Sequence, residues 1–395
     1  TERSPRMAIA PLAPDTTSTM APGLGLEHYN TQLLPPELAK ISLPPKVQAS
    51  YTTRHVHAAI AQRPTDFYLV TGQTVVPRSG DIVVARVREI LNHKRVETPE
   101  SRKAILFEGA LIMLAYGHRY AADQFLAHVP NSLQPCHLVA AGGIAGVVTQ
   151  AHDKMDFPTV IEPLGLLADE HGVVNLAQFA PCTTPDQLET VSGPFTTGQR
   201  RPEVIAVLGT AMNSGKSTTM ACLINGLAQS GRRVSAGKIT GTGAGNDPMI
   251  YHDAGAHRVL DFTDFGYPTT FQLDMPQLRA LTVGLVDELA DAATDVVVVE
   301  IADGIYQEET AHLLRDELFQ GIVDQVVFAA SDALGARAGV QELQAVGLRV
   351  AVASGVMTAS PLATAEASMV LGEVPVIPTY DLTHPDQAAA LLVRS

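Results

Sequence analysis

Hydrophobic positions fall into two textures along this chain of 395 residues. From residue 203 onward, short β-branched runs alternate with segments of helical periodicity. VIAVLG is followed by an amphipathic stretch from Met220 to Gln229, then by RVSAGKIT and a long polar loop. A helix over Met275 to Ala290 leads to DVVVVEIADG, one over Thr310 to Phe319 leads to DQVVFAAS, and one over Gly339 to Val346 leads to LRVAVASG. Such alternation predicts a mostly parallel sheet with helices on both faces and a ligand at the carboxyl ends of the strands.

Residues 64–190 read differently. DFYLVTG, DIVVARVREI, ILFEGALIMLAYG and HLVAAGGIAGVV are strand-like, and Pro77-Arg78-Ser79-Gly80 makes a turn between the first two. This stretch predicts a smaller β-rich domain, a small barrel with short helices. Residues 1–63 carry repeated prolines, threonines and small residues and read as an extended arm, with a short helix over Thr53 to Gln62. The stretch Pro181 to Pro202 reads as a linker. The expected class is therefore α/β, with an amino-terminal arm (1–63), a β-rich accessory domain (64–190) and a carboxy-terminal nucleotide-binding domain (203–395).

Composition narrows the class. Hydrophobic residues make up 46% and charged ones 17%, which suits an ordinary α/β protein. A formal charge of −14 argues against sequence-independent nucleic-acid binding, which depends on neutralising phosphates. No apolar run reaches the roughly 18 residues of a membrane span, and no secretory signal pattern opens the chain, so no membrane partner and a cytoplasmic location are expected. The three cysteines, Cys136, Cys182 and Cys222, are widely spaced and suggest neither a disulfide framework nor a zinc site.

The chemistry concentrates in VIAVLGTAMNSGKSTT, residues 204–219. A strand running through a glycine-bearing loop into a helix is the arrangement of a P-loop. Loop amides and the helix N-terminus face an anion, a lysine reaches the terminal phosphates, and the next hydroxyl serves Mg²⁺. The nucleotide-binding set is Gly209, Thr210, Asn213, Ser214, Gly215, Lys216, Ser217 and Thr218. Lys238, at a strand's carboxyl end among glycines, is placed to neutralise a transferring phosphoryl group. Glu300 ends a valine run in the manner of a Walker B carboxylate, so Ser217 and Glu300 are the expected Mg²⁺ ligands. The polar loop beyond Lys238 offers Asp247, Asp253, Asp261 and Asp264, with His252 and His257; Asp247 is favoured because it lies closest in sequence to Lys238 and sits in a Gly-rich turn. The loops Ser331–Arg337 and 354–361 are candidates for base or phosphate contacts. The HKR (93–95) and GHRY (117–120) clusters read as solvated loop charge.

The spacing from Gly209 through five residues to Gly215-Lys216-Ser217 resembles the loop of dethiobiotin synthetase and of the cobyrinic acid a,c-diamide synthase family, members of the SIMIBI class of P-loop proteins. The likeness extends over roughly 203–380. In those synthetases a lysine ends the second strand and a glutamate ends a later one, positions that Lys238 and Glu300 match. Ile301 stands where that family has glycine. Thr210, Ala211 and Met212 occupy the place of the signature lysine of Mrp/MinD-type ATPases. No Asn-Lys-x-Asp signature is present, so the resemblance implies ATP with Mg²⁺. The expected function is Mg·ATP-dependent phosphoryl transfer to a small-molecule substrate, by a kinase or a carboxylate-activating ligase, with Lys216, Lys238, Glu300 and Asp247 as the catalytic set. The alternative is a nucleotide-dependent chaperone or switch that delivers a cofactor or metal to a partner. The arm and a site at a sheet edge are compatible with a homodimer.

Overall fold

The computed structural model describes residues 23–185 and 201–393. Residues 1–22 of the expected arm and most of the expected linker lie outside these. Two large sheets carry the chain, and each has its own apolar core.

In the amino-terminal sheet, strand Thr159–Asp169 pairs antiparallel with Ile82–Glu89, which pairs with Leu111–Tyr116. The last of these pairs parallel with Ile144–Ala151, which pairs with Cys136–Ala140, and that strand returns to Thr159–Asp169. Five strands thus close a ring. Side chains alternate across it as pleating requires. Val83, Ala85 and Val87 join Ile112, Leu114, Tyr116, Cys136, Leu138 and Ile161 in one core. Ile82, Val84, Met113 and Ala115 face outward and are covered by Val56 of helix Arg54–Gln62. Register shifts at Val160/Ile161 and Pro163/Gly165 mark bulges in the long strand, the usual device for bending a strand around a small barrel. Part of the segment expected as an arm is strand: Ala39–Ser42 lies at the sheet edge against Tyr68–Thr71.

The carboxy-terminal sheet is six-stranded and parallel. Its order is Arg258–Asp261, Val234–Lys238, Val296–Glu300, Glu203–Gly209, Gln325–Ala329 and Val350–Ser354. The valine run is explained by burial on both faces. Val297 and Val299 join Leu281, Leu285 and Leu289 on one side, while Val296 and Val298 join Met220, Leu223 and Leu227 on the other. Helix Met275–Leu289 begins at a capping box of Asp274 and Gln277.

Two helix expectations are corrected. The predicted Thr310–Phe319 helix is broken into Glu308–Leu313 and Glu317–Ile322, because Asp316 caps the second by accepting from the Leu318 and Phe319 amides. The predicted Gly339–Val346 helix starts earlier, at Ala333, where Asp332 accepts from the Gly335 amide at 2.7 Å. Most of the Ser331–Arg337 segment is therefore a helix start and not a loop.

Candidate functional site

Parallel register assembles the site. Lys238 lies opposite Glu300 on one side and opposite Asp261 on the other, and Glu300 lies opposite Val207 of the strand that enters the phosphate loop. Residues scattered over nearly a hundred positions thus meet at the carboxyl edge of one sheet.

The loop itself depends on backbone that side chains would spoil. Gly215 has φ +95°, and Asn213, two residues earlier, has φ +62°. A Cβ on Gly209 would come within 2.2 Å of Ser214 Oγ and 2.8 Å of Lys216 Cγ. Glycine at 209 lets the loop fold back across the end of its own strand. Lys216 opens helix Lys216–Gln229 and curls over the loop, its Nζ donating to the Ala211 carbonyl at 2.9 Å. Burial lowers the Lys216 pKa, and the carboxylates of Glu300 and Asp303 oppose that shift.

Beyond the loop, Ser217 Oγ donates to Glu300 Oε2 at 3.1 Å, and Tyr251 Oη donates to the same oxygen. Lys238 Nζ is paired with Asp247 and lies 3.3 Å from Glu300 Oε1. Glu300 is 2% exposed. Burial by itself would lower the Lys238 pKa, but the two carboxylates prevail and hold it above its usual range. Burial likewise works against ionised Asp247, and the Lys238 ammonium keeps its pKa below the ordinary carboxylate value. Asp303, in the loop after Glu300, is pushed up by burial despite both lysines.

The residues fit a Mg²⁺-bound nucleoside phosphate. The first-turn amides of Lys216, Ser217 and Thr218 have no acceptor within their helix. Ser214 Oγ and Thr210 Oγ1 are buried without a hydrogen-bond partner. An ammonium, a set of free amides, a hydroxyl and a carboxylate are the donor set for phosphate oxygens and a hard, oxygen-seeking cation. Ser217 and Glu300 would hold the metal, and Lys216 with the loop would hold the phosphates.

Several expectations fare differently in detail. Asp247 is in the first turn of helix Asn246–Asp253, not in a glycine-rich turn. Asp253 is exposed beside His252, away from the cluster. Asp261 and Asp264 face the amino-terminal half: Tyr51 Oη donates to Asp261 Oδ2 at 2.8 Å, and Asp264 is paired with Arg54 and with His55 Nε2 at 3.0 Å. Thr218 is exposed on the outer side of the helix. Two residues of the clusters read as solvated loop charge are withdrawn from solvent, Arg119 buried and His93 half-buried. Arg119 is 5% exposed, and burial pulls His93 down to about 4. Sequence reasoning passed over Tyr251, although it lies one helical turn from Asp247 and hence on the same face. It also passed over Asp123, whose Oδ2 accepts from Asn213 Nδ2 at 2.5 Å across 90 residues.

A strand, glycine loop, lysine and helix feeding a central position in a parallel sheet, with a carboxylate on the adjacent strand, define a P-loop nucleotide-binding fold. No protein-family model matches the sequence, and no curated protein matches it. Similar solved structures include chloroplast FtsY from Physcomitrella patens, at 16% identity and TM-score 0.35 over 54% of this chain and 70% of that one. They also include the signal recognition particle receptor FtsY from Elizabethkingia anophelis, alone and in complex with GDP. Each of these is 14% identical with TM-score 0.31, over 54% and 56% of this chain and 68% and 70% of theirs.

The expected function and partner are corrected. Phosphoryl transfer to a small molecule, with that molecule as the partner, was expected with the acceptor held by the 241–270 loop. The structure packs this loop on the amino-terminal half: Gly245 N donates to Glu97 Oε2 at 2.7 Å, and Tyr51 and Arg54 hold its far end. Among the described residues no helix is long and apolar enough to cross a membrane.

Proposed function

We propose that this chain is a Mg²⁺-dependent nucleoside triphosphatase working as a nucleotide-operated switch, in which the carboxy-terminal half holds the nucleotide and the amino-terminal half reads its state. One observation carries this reading. Helix Asn246–Asp253 sends Asp247 and Tyr251 into the phosphate site, while the chain on either side of it is tied to the other half through Glu97, Tyr51 and Arg54. A change in what Lys238 and Glu300 contact therefore shifts an element that both halves hold.

When bound, Mg²⁺ and a triphosphate supply the electrophilic phosphorus and the counter-charge for hydrolysis. The chain's own residues bind and orient. Lys216 and the loop amides neutralise phosphate charge, Ser217 and Glu300 fix the metal, and Lys238 offsets the carboxylates that would otherwise repel the ligand. The loop spacing shared with the dethiobiotin synthetase and cobyrinic acid a,c-diamide synthase families supports the broad class and the phosphate-binding roles. The absent Asn-Lys-x-Asp signature makes ATP the first nucleotide to test and GTP the second. The partner we infer for the switch is a protein.

The test is hydrolysis of Mg·ATP and Mg·GTP together with amide exchange in the triphosphate and diphosphate states. Exchange in 241–270 and in 51–62 should differ between the two states, and Lys216→Ala should remove both turnover and the difference. Nucleotide turnover with identical exchange in both states would sink the switch.

A further inference from the structure

The phosphate loop has one non-glycine residue in the left-handed region, Asn213 at φ +62°. Asparagine tolerates this conformation better than most residues because its short amide can hydrogen-bond locally. Here the amide reaches across to the other half of the molecule, and Nδ2 donates to Asp123 Oδ2 at 2.5 Å. A carboxylate can only accept, so the orientation of the Asn213 amide is settled by its partner.

The turn that carries Asp123 is tied down on both sides. It lies between strands Arg119–Tyr120 and Phe125–His128, which pair Arg119 with Ala127 and Tyr120 with Leu126. Within the turn, Ala121 N donates to Phe125 O at 3.0 Å and Gln124 N to Ala121 O at 2.9 Å. The Arg119 guanidinium, almost fully buried, donates to Gln124 Oε1 at 2.8 Å and to the Val139 carbonyl. Tyr120 packs against Phe271 of the carboxy-terminal half, with ring centroids 5.5 Å apart. The hairpin is thus fastened to its own barrel at one end and to the P-loop half at the other. Its tip meets the loop two residues before Gly215.

We infer that Asp123 is a positioning residue of the nucleotide site, acting through Asn213 to hold the phosphate loop in its binding conformation. The inference rests on the nucleotide reading above and adds a second tie between the halves, independent of the 241–270 loop. The loop conformation that turns amides inward depends on residue 213 keeping a positive φ. A charge-assisted hydrogen bond from this fastened hairpin removes the freedom to leave it. A glycine at 213 would reach the same conformation with no side chain to anchor.

The experiment compares Asp123→Ala, Asn213→Gly and the double variant by fluorescence anisotropy of mant-ATP and mant-GTP with Mg²⁺. Asp123→Ala should weaken binding about three- to tenfold, the range for a partly exposed hydrogen bond to a charged group. Asn213→Gly removes the same hydrogen bond and should weaken binding as well, and Asp123→Ala should add nothing further in that background, so the double variant should match Asn213→Gly. Suppression of the first change by the second is a signature that a general loss of stability would not produce. Asp123→Ala binding as wild type does, or its full loss persisting in the Asn213→Gly background, would overturn the inference. Amide exchange across 209–217 in nucleotide-free protein gives a second readout and should rise in Asp123→Ala. If the wild type binds neither nucleotide while that exchange still rises, the nucleotide reading falls and the positioning role stands. Unchanged exchange refutes the positioning role.

Discussion

Replacing Lys238 with methionine keeps the length of the side chain and removes its charge, which isolates what the ammonium does. Lys238 and Asp247 side chains are 12% and 16% exposed, and Glu300 is 2% exposed. Removing one member of such a cluster strands the others, and breaking a buried pair this way costs roughly 3–5 kcal/mol. The residual exposure of Asp247 places the expected loss near the lower end, about 3 kcal/mol. The wild-type pair should be insensitive to pH across the neutral range. Lys238 has a folded pKa above its ordinary 10.5, so its contribution is complete below that value and fades only at higher pH. Asp247 has a folded pKa below its ordinary 3.8, so its contribution is present above that value and fades only as pH falls through the folded one. In the variant Asp247 loses its cation, the burial that raises its folded pKa is no longer opposed by the ammonium, and protonation relieves the penalty. The deficit should be largest at pH 8 and smaller at pH 5. A chain of this size with two cores is not expected to unfold in one step, so the assay is amide exchange at Val234–Lys238 and Val296–Glu300, backed by far-UV circular dichroism. No faster exchange at pH 8, or a deficit that grows toward pH 5, would refute the reasoning.

Three further outcomes follow from the same geometry. Arg54→Met removes the guanidinium between buried Asp261 and Asp264, and about 3 kcal/mol of stability should go with it. Burial already raises the Asp261 pKa, so this variant should recover stability in thermal unfolding as pH is lowered from 8 to 5. Gly142→Ala would set a Cβ 1.9 Å from the Gly243 carbonyl oxygen, a backbone atom that cannot turn aside. It should loosen the contact between the halves at a cost of about 1–3 kcal/mol, seen as earlier proteolytic cleavage within 241–270. Gly209→Ala should lower nucleotide affinity more than tenfold ( puts that at about 1.4 kcal/mol) while leaving circular dichroism unchanged, because the clash lies with Ser214 and Lys216 inside the loop.

Local patterns along the chain were enough for much of this molecule. The valine run at 296–299 announced a strand buried on both faces, since only burial on both sides removes the need for alternation. Gly215-Lys216-Ser217 after a buried strand announced the phosphate loop, because its glycines, lysine and hydroxyl are contiguous. Lys238 and Glu300 were singled out by position at strand ends and Asp247 by its nearness in sequence to Lys238; parallel register brings the first two together, and helix Asn246–Asp253 brings Asp247 to them. The break at Asp316 was hidden by an unbroken helical period, and it follows from a cap whose carboxylate is also held by Arg279, 37 residues away.

Contacts between the halves had no local signal. Asp123 and Asn213 are 90 residues apart, and Tyr51 and Asp261 are 210 apart. Neither member of those pairs carries a pattern that names the other. The corrected function has the same origin: a polar loop after Lys238 looks open to a substrate when only its composition is considered, and Glu97, Tyr51 and Arg54 close it from a distant part of the chain. Amino-acid order sufficed for the strands of the parallel sheet and the phosphate loop, because each is announced by neighbours within one or two turns of chain. Whether the loop beside that site meets a substrate or the protein's own other half was decided by packing, because burial and charge pairing across two hundred residues exist only once the chain has folded.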